Sequence, residues 1–120
     1  MVLDRSPKLD RTFHALAHPA RRAMLRRLSD HEQNLSELAS PLRMSFPAAS
    51  KHVRVLERAG LVRRRIHGRS HLCRLNAAPL KDATLWMEAY RQRWDLAFGA
   101  LDSLLAEMQG KERKEAKHGA

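Results

Sequence analysis

Residues 35–75 read LSELASPLRMSFPAASKHVRVLERAGLVRRRIHGRSHLCRL, and the spacing of their apolar residues changes along the way. Leu35, Leu38, Ala39 and Leu42 recur at helical intervals. Asn34 stands before them as a cap, and Glu37, at the third helical position, completes a capping-box-like pair. A three-residue turn, Arg43-Met44-Ser45, then leads into a second helix. Ser45 suits its N-cap, and Pro47 lies in its first turn, where a missing N–H leaves no helical hydrogen bond unmade. Ala49, Val53 and Leu56 face inward, and Ala59-Gly60 ends the helix with Gly60 in the left-handed position beyond the cap. From Leu61 onward the pattern is that of strands. Residues 61–66 and 70–75 flank His67-Gly68-Arg69, a β-turn in which Gly68 takes positive φ. The turn can hold two to four residues, so the sequence leaves the pairing register open.

Two short helices joined by a tight turn and followed at once by a hairpin form the winged helix-turn-helix arrangement. Upstream, Ser6 caps a first helix with Pro7 at its first position, and Leu9, Phe13, Leu16 and Ala17 make its apolar stripe. His18-Pro19 breaks that helix and starts another. The second helix turns Ala20, Met24, Leu25 and Leu28 inward and Arg22, Arg26 and Arg27 outward, and residues 29–34 read as a polar loop. Downstream, Leu80, Ala83, Met87, Tyr90, Trp94, Ala97, Leu101, Leu104 and Met108 alternate at intervals of three and four, flanked by Trp86, Phe98 and Leu105. That is a coiled-coil-like seam, of which part can pack on its own domain while the rest asks for a second subunit. The expected fold is mainly α, with about five helices and a two-stranded wing. Residues 1–109 are expected to form one DNA-binding and dimerisation domain, and residues 110–120 a disordered charged tail.

Charge locates the reading surface. Between residues 43 and 74 stand nine basic side chains (Arg43, Lys51, Arg54, Arg58, Arg63, Arg64, Arg65, Arg69 and Arg74) and one acid, Glu57, in a chain of net charge +10. Residues 79–109 are net acidic. Clustered Lys and Arg bind phosphate backbones through counterion release, so the expected partner is a nucleic acid. On the second helix of the pair, Pro47, Lys51, Arg54 and Arg58 share one face, with Ser45 and Ser50 near its N-terminus, the end that enters the major groove in such proteins. Lys51 and Arg54 are long enough to reach base edges. On the hairpin, Arg64, His67 and Arg69 are candidates for phosphate or minor-groove contact. His52 sits at the edge of the core face, where phosphate contact and a satisfied boundary histidine are equally open readings.

Three stretches, FHALAHPARRAMLRRL (13–28), LSELASPLRMSFPAASKHVRVLERAGLV (35–62) and RRRIHGRSHLCRL (63–75), resemble the ArsR/SmtB-type winged-helix repressors. The resemblance covers residues 9–108. It implies a homodimer built on the first and last helices, through Phe13 with Leu80, Met87, Tyr90, Trp94, Leu101 and Leu104. It also implies a palindromic double-stranded DNA operator and repression relieved by an effector. Metal-sensing members carry a paired-cysteine motif where this chain has Leu35-Ser36-Glu37-Leu38-Ala39-Ser40, and residues 79–108 contain no histidine. The seven histidines are scattered, whereas a zinc-type site needs three or four converging ligands. The chain is thus most similar to the metal-less branch, with no metal, no cofactor and an effector the sequence does not name.

Other classes fare worse. One cysteine, Cys73, forms no internal disulfide and reads best as a small buried hydrophobe, leaving a metal- or thiol-responsive sensor with an unrecognised site as a lesser alternative. No glycine-rich phosphate loop or nucleophile elbow suggests an enzyme. No apolar run reaches the length of a membrane span and residues 1–10 lack an apolar leader, so the expected home is the cytoplasm. A non-specific nucleic-acid binder is the remaining rival, although Phe46 is the only aromatic in the basic block available for stacking.

Overall fold

The structure is a computed structural model that describes residues 6–118, with side chains as far as Lys114. Its elements run α1 (Pro7–Leu16), α2 (Pro19–Asp30), β1 (Gln33–Asn34), α3 (Leu35–Ala39), a 3-10 turn (Ser40–Leu42), α4 (Phe46–Arg58), β2 (Val62–His67), β3 (Ser70–Leu75) and α5 (Ala78–His118). The chain divides into two compact units, residues 1–84 and 85–120, and the boundary falls inside α5.

Within the first unit the helix starts follow local chemistry. The Ser6 hydroxyl accepts the Leu9 N–H at 3.3 Å, and His18 Nδ1 accepts the Ala20 N–H at 3.1 Å ahead of Pro19. Met24, Leu35, Leu38, Val53, Leu56, Leu61 and Cys73 are fully buried and form one core under α2, α3, α4 and the sheet. The hinge between α3 and α4 turns on Arg43, a non-glycine residue at φ 52°. At the far end of α4, Gly60 takes φ 74°. Its N–H bonds the Glu57 carbonyl and the Leu61 N–H bonds the Leu56 carbonyl, both at 2.9 Å. That bond pair is the Schellman arrangement, and it hands the chain directly to the sheet.

The wing resolves the open register. His67 pairs with Ser70, leaving Gly68 and Arg69 as a two-residue turn with Gly68 at φ 58°. The polar loop expected over residues 29–34 is corrected in two places. Helix α2 continues to Asp30, and Gln33–Asn34 form a third strand on the far side of β3, with Gln33 opposite Cys73 and Asn34 opposite Leu72. Buried Gln33 is held there by donating to the Arg27 carbonyl at 3.0 Å. The same pairing explains why Asn34 makes no side-chain capping bond to the backbone of α3. Its side chain donates to Glu37 Oε1 at 3.2 Å and accepts from the Ser70 hydroxyl at 2.9 Å.

Asn76 joins the sheet to the last helix. Its N–H bonds the Leu61 carbonyl at 2.7 Å, its amide donates to the Gly60 carbonyl at 2.8 Å, and its side-chain oxygen accepts the Ala78 N–H at 3.4 Å. In the first turns of α5, Leu80 packs against the core and Ala83 is buried. The sequence reading ends this helix near Met108 and expects disorder from Gly110, but α5 runs on to His118. Lys111, Glu112, Arg113 and Lys114 are good helix formers, and one interior glycine costs only about 1 kcal/mol.

Candidate nucleic-acid interface

Helix α4 presents its two faces as its spacing requires. Ala49, Val53 and Leu56 are wholly buried, while Pro47, Lys51, Arg54 and Arg58 are exposed along the opposite side. Ser45 is exposed at the N-cap, its hydroxyl accepting the Ala48 N–H at 3.3 Å. Pro47 occupies the first turn, so this end of α4 can approach a groove without a buried N–H left unsatisfied. The long cations are thus displayed by a helix whose other face is locked into the core.

His52 is half-buried. Its Nδ1 meets Arg21 Nη1 at 3.2 Å, and its ring lies 4.5 Å from that of His18. Burial first, then the positive potential of His18, Arg21 and Lys51, holds its pKa below the ordinary 6.5. A neutral ring with a bare Nδ1 is also what the Arg21 hydrogen bond requires, because a guanidinium only donates. Arg21 itself is nearly buried. It donates from Nε to the Ala15 carbonyl at 2.7 Å and from Nη2 to the His14 carbonyl at 3.0 Å. One side chain therefore donates to two carbonyls at the C-terminal end of α1 and meets His52 in the middle of α4. Sequence reasoning missed Arg21, although its spacing of three and four before Met24 and Leu25 places it on the inner face of α2.

On the wing, His67 and Arg69 are exposed, and so are Arg63, Arg65 and Arg74. Arg64 is where the sequence expectation is corrected. It does not reach outward; its side chain is 8% exposed and turned toward α4. It donates to Glu57 Oε1 from Nη2 at 2.7 Å and from Nε at 3.0 Å, to the Ser50 hydroxyl at 2.9 Å and to the Ser50 carbonyl at 3.2 Å. Nη1 also meets His71 Nδ1 at 3.1 Å. Ser50, expected to face DNA, is half-buried and engaged by this contact. The reason is strand alternation. Val62 is buried on the inner face, so Arg64 follows it inward, while Arg63, Arg65 and His67 point the other way. Leu61 and Val62, both apolar, hide that phase in the sequence.

The seam residues divide between the two units. Leu80, expected at a subunit interface, packs on the core of its own domain, and Phe13 is half-buried on α1. In the second unit Met87, Trp94, Leu101 and Leu104 are 39%, 48%, 50% and 53% exposed. Tyr90 is half-buried beside Trp94, with ring centroids 6.2 Å apart and planes inclined by 28°. Cys73 is fully buried in β3, and burial pushes its thiol up to about 11, far from a reactive thiolate. Among the described residues no three His, Cys, Asp or Glu side chains converge as metal ligands, and no helix is long and apolar enough to cross a membrane.

An exposed basic helix set by a tight turn, backed by a core and flanked by a cationic hairpin, defines a winged helix-turn-helix DNA-binding protein. Residues 16–65 match the helix-turn-helix domain family. The HTH-type transcriptional regulator Rv2034 of Mycobacterium tuberculosis is 47% identical over 58 residues, covering 48% of this chain and 52% of the relative. The match thus spans about half the length of that curated relative. The crystal structure of the ArsR family transcriptional regulator RHA00566 is 36% identical with a TM-score of 0.69, covering 73% of this chain and 97% of that one. An ArsR-like transcriptional regulator from Rhodococcus sp. RHA1 is 30% identical with a TM-score of 0.64, covering 81% and 92%. The chain belongs to the ArsR family of transcriptional regulators.

Proposed function

We propose that this regulator is a cytoplasmic homodimer that represses transcription from an inverted-repeat operator and is released by a non-metal effector. The observation that carries the reading is the coexistence of two surfaces in one small chain. Helix α4 offers Lys51, Arg54 and Arg58 to a groove, and the second unit exposes Met87, Trp94, Leu101 and Leu104 along one helix. A coiled-coil-like seam left open to water is covered most economically by a second copy, and two copies bring two reading helices. Pro47, Lys51 and Arg54 are assigned to the major groove and Arg58, Arg63, Arg65, His67 and Arg69 to phosphates or the minor groove. Residues 1–109 hold both surfaces, and the charged stretch 110–120 lies outside them.

Repression is supported by the transcriptional repressor BigR from Xylella fastidiosa, 26% identical with a TM-score of 0.54 over 70% of this chain and 84% of that one. A non-metal signal is supported by the chemistry of the chain, whose cysteine is buried and whose α3 carries no thiol. Selection of duplexes from a randomised library by the full chain tests the proposal. It should enrich an inverted repeat with half-site centres about one helical turn apart. Enrichment of a lone half-site, or of no sequence, contradicts it.

A further inference from the structure

Glu57 is an anomaly for a DNA-binding surface. It is the lone acid among nine basic residues between 43 and 74, on the helix that reads DNA. Counterion release alone argues against it, because one negative charge there weakens attraction to every phosphate nearby. Arg64 is the matching anomaly, a wing cation 8% exposed and so withdrawn from any phosphate. The two are bound to each other at 2.7 Å.

We propose that Arg64 and Glu57 form a strut that fixes the wing against the reading helix, so that Arg64 is a positioning residue for sequence discrimination and not a DNA contact. The inference rests on the reading of α4 and the wing as the DNA-binding surface. Arg64 grips α4 at two places, Ser50 and Glu57, seven residues apart, or about 10 Å along the axis. Holding a helix at two separated points restrains its tilt as well as its distance. The same guanidinium meets His71 on β3, and the His71 ring packs edge-on to Phe46, the first residue of α4, at 5.3 Å between centroids. Strand β2 is thereby tied to α4 at Ser50 and Glu57, and β3 to its first residue, Phe46. A planar guanidinium with five donors can serve Glu57, Ser50 and His71 at once, and a lysine ammonium cannot reproduce that fork.

Charge and position make opposite forecasts, which makes the strut testable. Glu57→Ala removes a negative charge from a DNA-facing helix, so electrostatics alone forecasts tighter binding to any duplex. Arg64→Lys keeps the charge, so a simple phosphate contact would survive it. The probes are a duplex enriched by the wild-type full chain and an unselected random duplex of equal length. Asp30→Ala, at the exposed end of α2, gives the same charge change without touching the strut.

For both Glu57→Ala and Arg64→Lys, affinity for the enriched duplex should fall about tenfold, in line with the loss of hydrogen bonds to a charged group. Affinity for random duplex should hold or rise, and Asp30→Ala should leave the ratio unchanged. Amide exchange in residues 62–75 should quicken in both variants while the core amides of α2 stay protected. Unchanged preference in either variant, parallel loss on both duplexes, or unchanged hairpin exchange each overturns the strut. If the wild-type chain enriches no duplex, the DNA-reading proposal fails on its own, and the exchange measurement still decides whether the strut exists.

Discussion

Lys51 and Arg54 stand nearly one turn apart on the exposed face of α4, and the proposal gives base discrimination to them because the opposite face of that helix, Ala49, Val53 and Leu56, is wholly buried in the core. Replacing either by alanine should weaken binding to the enriched duplex by about 1 to 3 kcal/mol if it touches a base edge, and relax preference at one position. Unchanged affinity in both variants would move the reading surface elsewhere. His52, beside them, ties DNA-facing structure to acidity. Its pKa is held below 6.5 by burial and by His18, Arg21 and Lys51, so the folded state favours the neutral ring. The stabilisation is therefore complete above the ordinary histidine value and is lost as pH falls through the lower folded value. Urea midpoints at about pH 7.5 and about pH 5 should differ less for His52→Gln than for the wild type. Equal drops would assign the acid sensitivity to other groups. At this scale the helical phase made the exposure of Lys51, Arg54 and Arg58 legible in the sequence, but not the inward contact of Ser50 on the same helix or the burial of Arg21 on α2. It misled where two adjacent apolar residues, Leu61 and Val62, concealed which way Arg64 points.

Among the elements, α4 is defined at both ends by chemistry that the sequence states openly, Ser45 before it and Gly60 after it. Gly60 sits at φ 74°, and a Cβ built there meets only Pro79 Cγ, at 3.5 Å, an ordinary contact. Gly60→Ala should therefore cost about 1–2 kcal/mol from left-handed backbone strain alone, measurable as a lowered urea midpoint with an unchanged slope. A loss several times larger would mean that the turn also carries close packing. Strand β1 was not legible, because two residues cannot display a period and their strand character comes wholly from pairing with β3. The α3 cap misled for the same reason. Asn34 and Glu37 match a capping box in sequence, but the strand draws Asn34 toward Ser70. The continuation of α5 past Gly110 shows that a single glycine is weak punctuation when good helix formers follow.

For the molecule as a whole, the proposal joins a reading surface in the first unit to a pairing surface in the second. The seam was visible in the sequence as an unbroken alternation, and the structure divides its use: Leu80 and Ala83 belong to the core, while Met87, Trp94, Leu101 and Leu104 remain exposed. Periodicity shows that a helix face is apolar, but only the packed core shows how much of that face a single chain consumes. Trp94→Ala and Leu101→Ala should lower the sedimenting mass from dimer to monomer at micromolar concentration and weaken binding to the enriched duplex together, without melting the winged domain. Retention of the dimer in both variants would place the interface on another surface.

The central claim is sequence-specific recognition by a basic surface that any phosphate backbone would attract. It is tested most directly by competition at fixed, near-physiological salt between the enriched duplex and random duplex for the full chain. A preference of about 10³-fold or more is the result this account predicts. A ratio near one would contradict it, and would make the chain a binder of DNA that selects none.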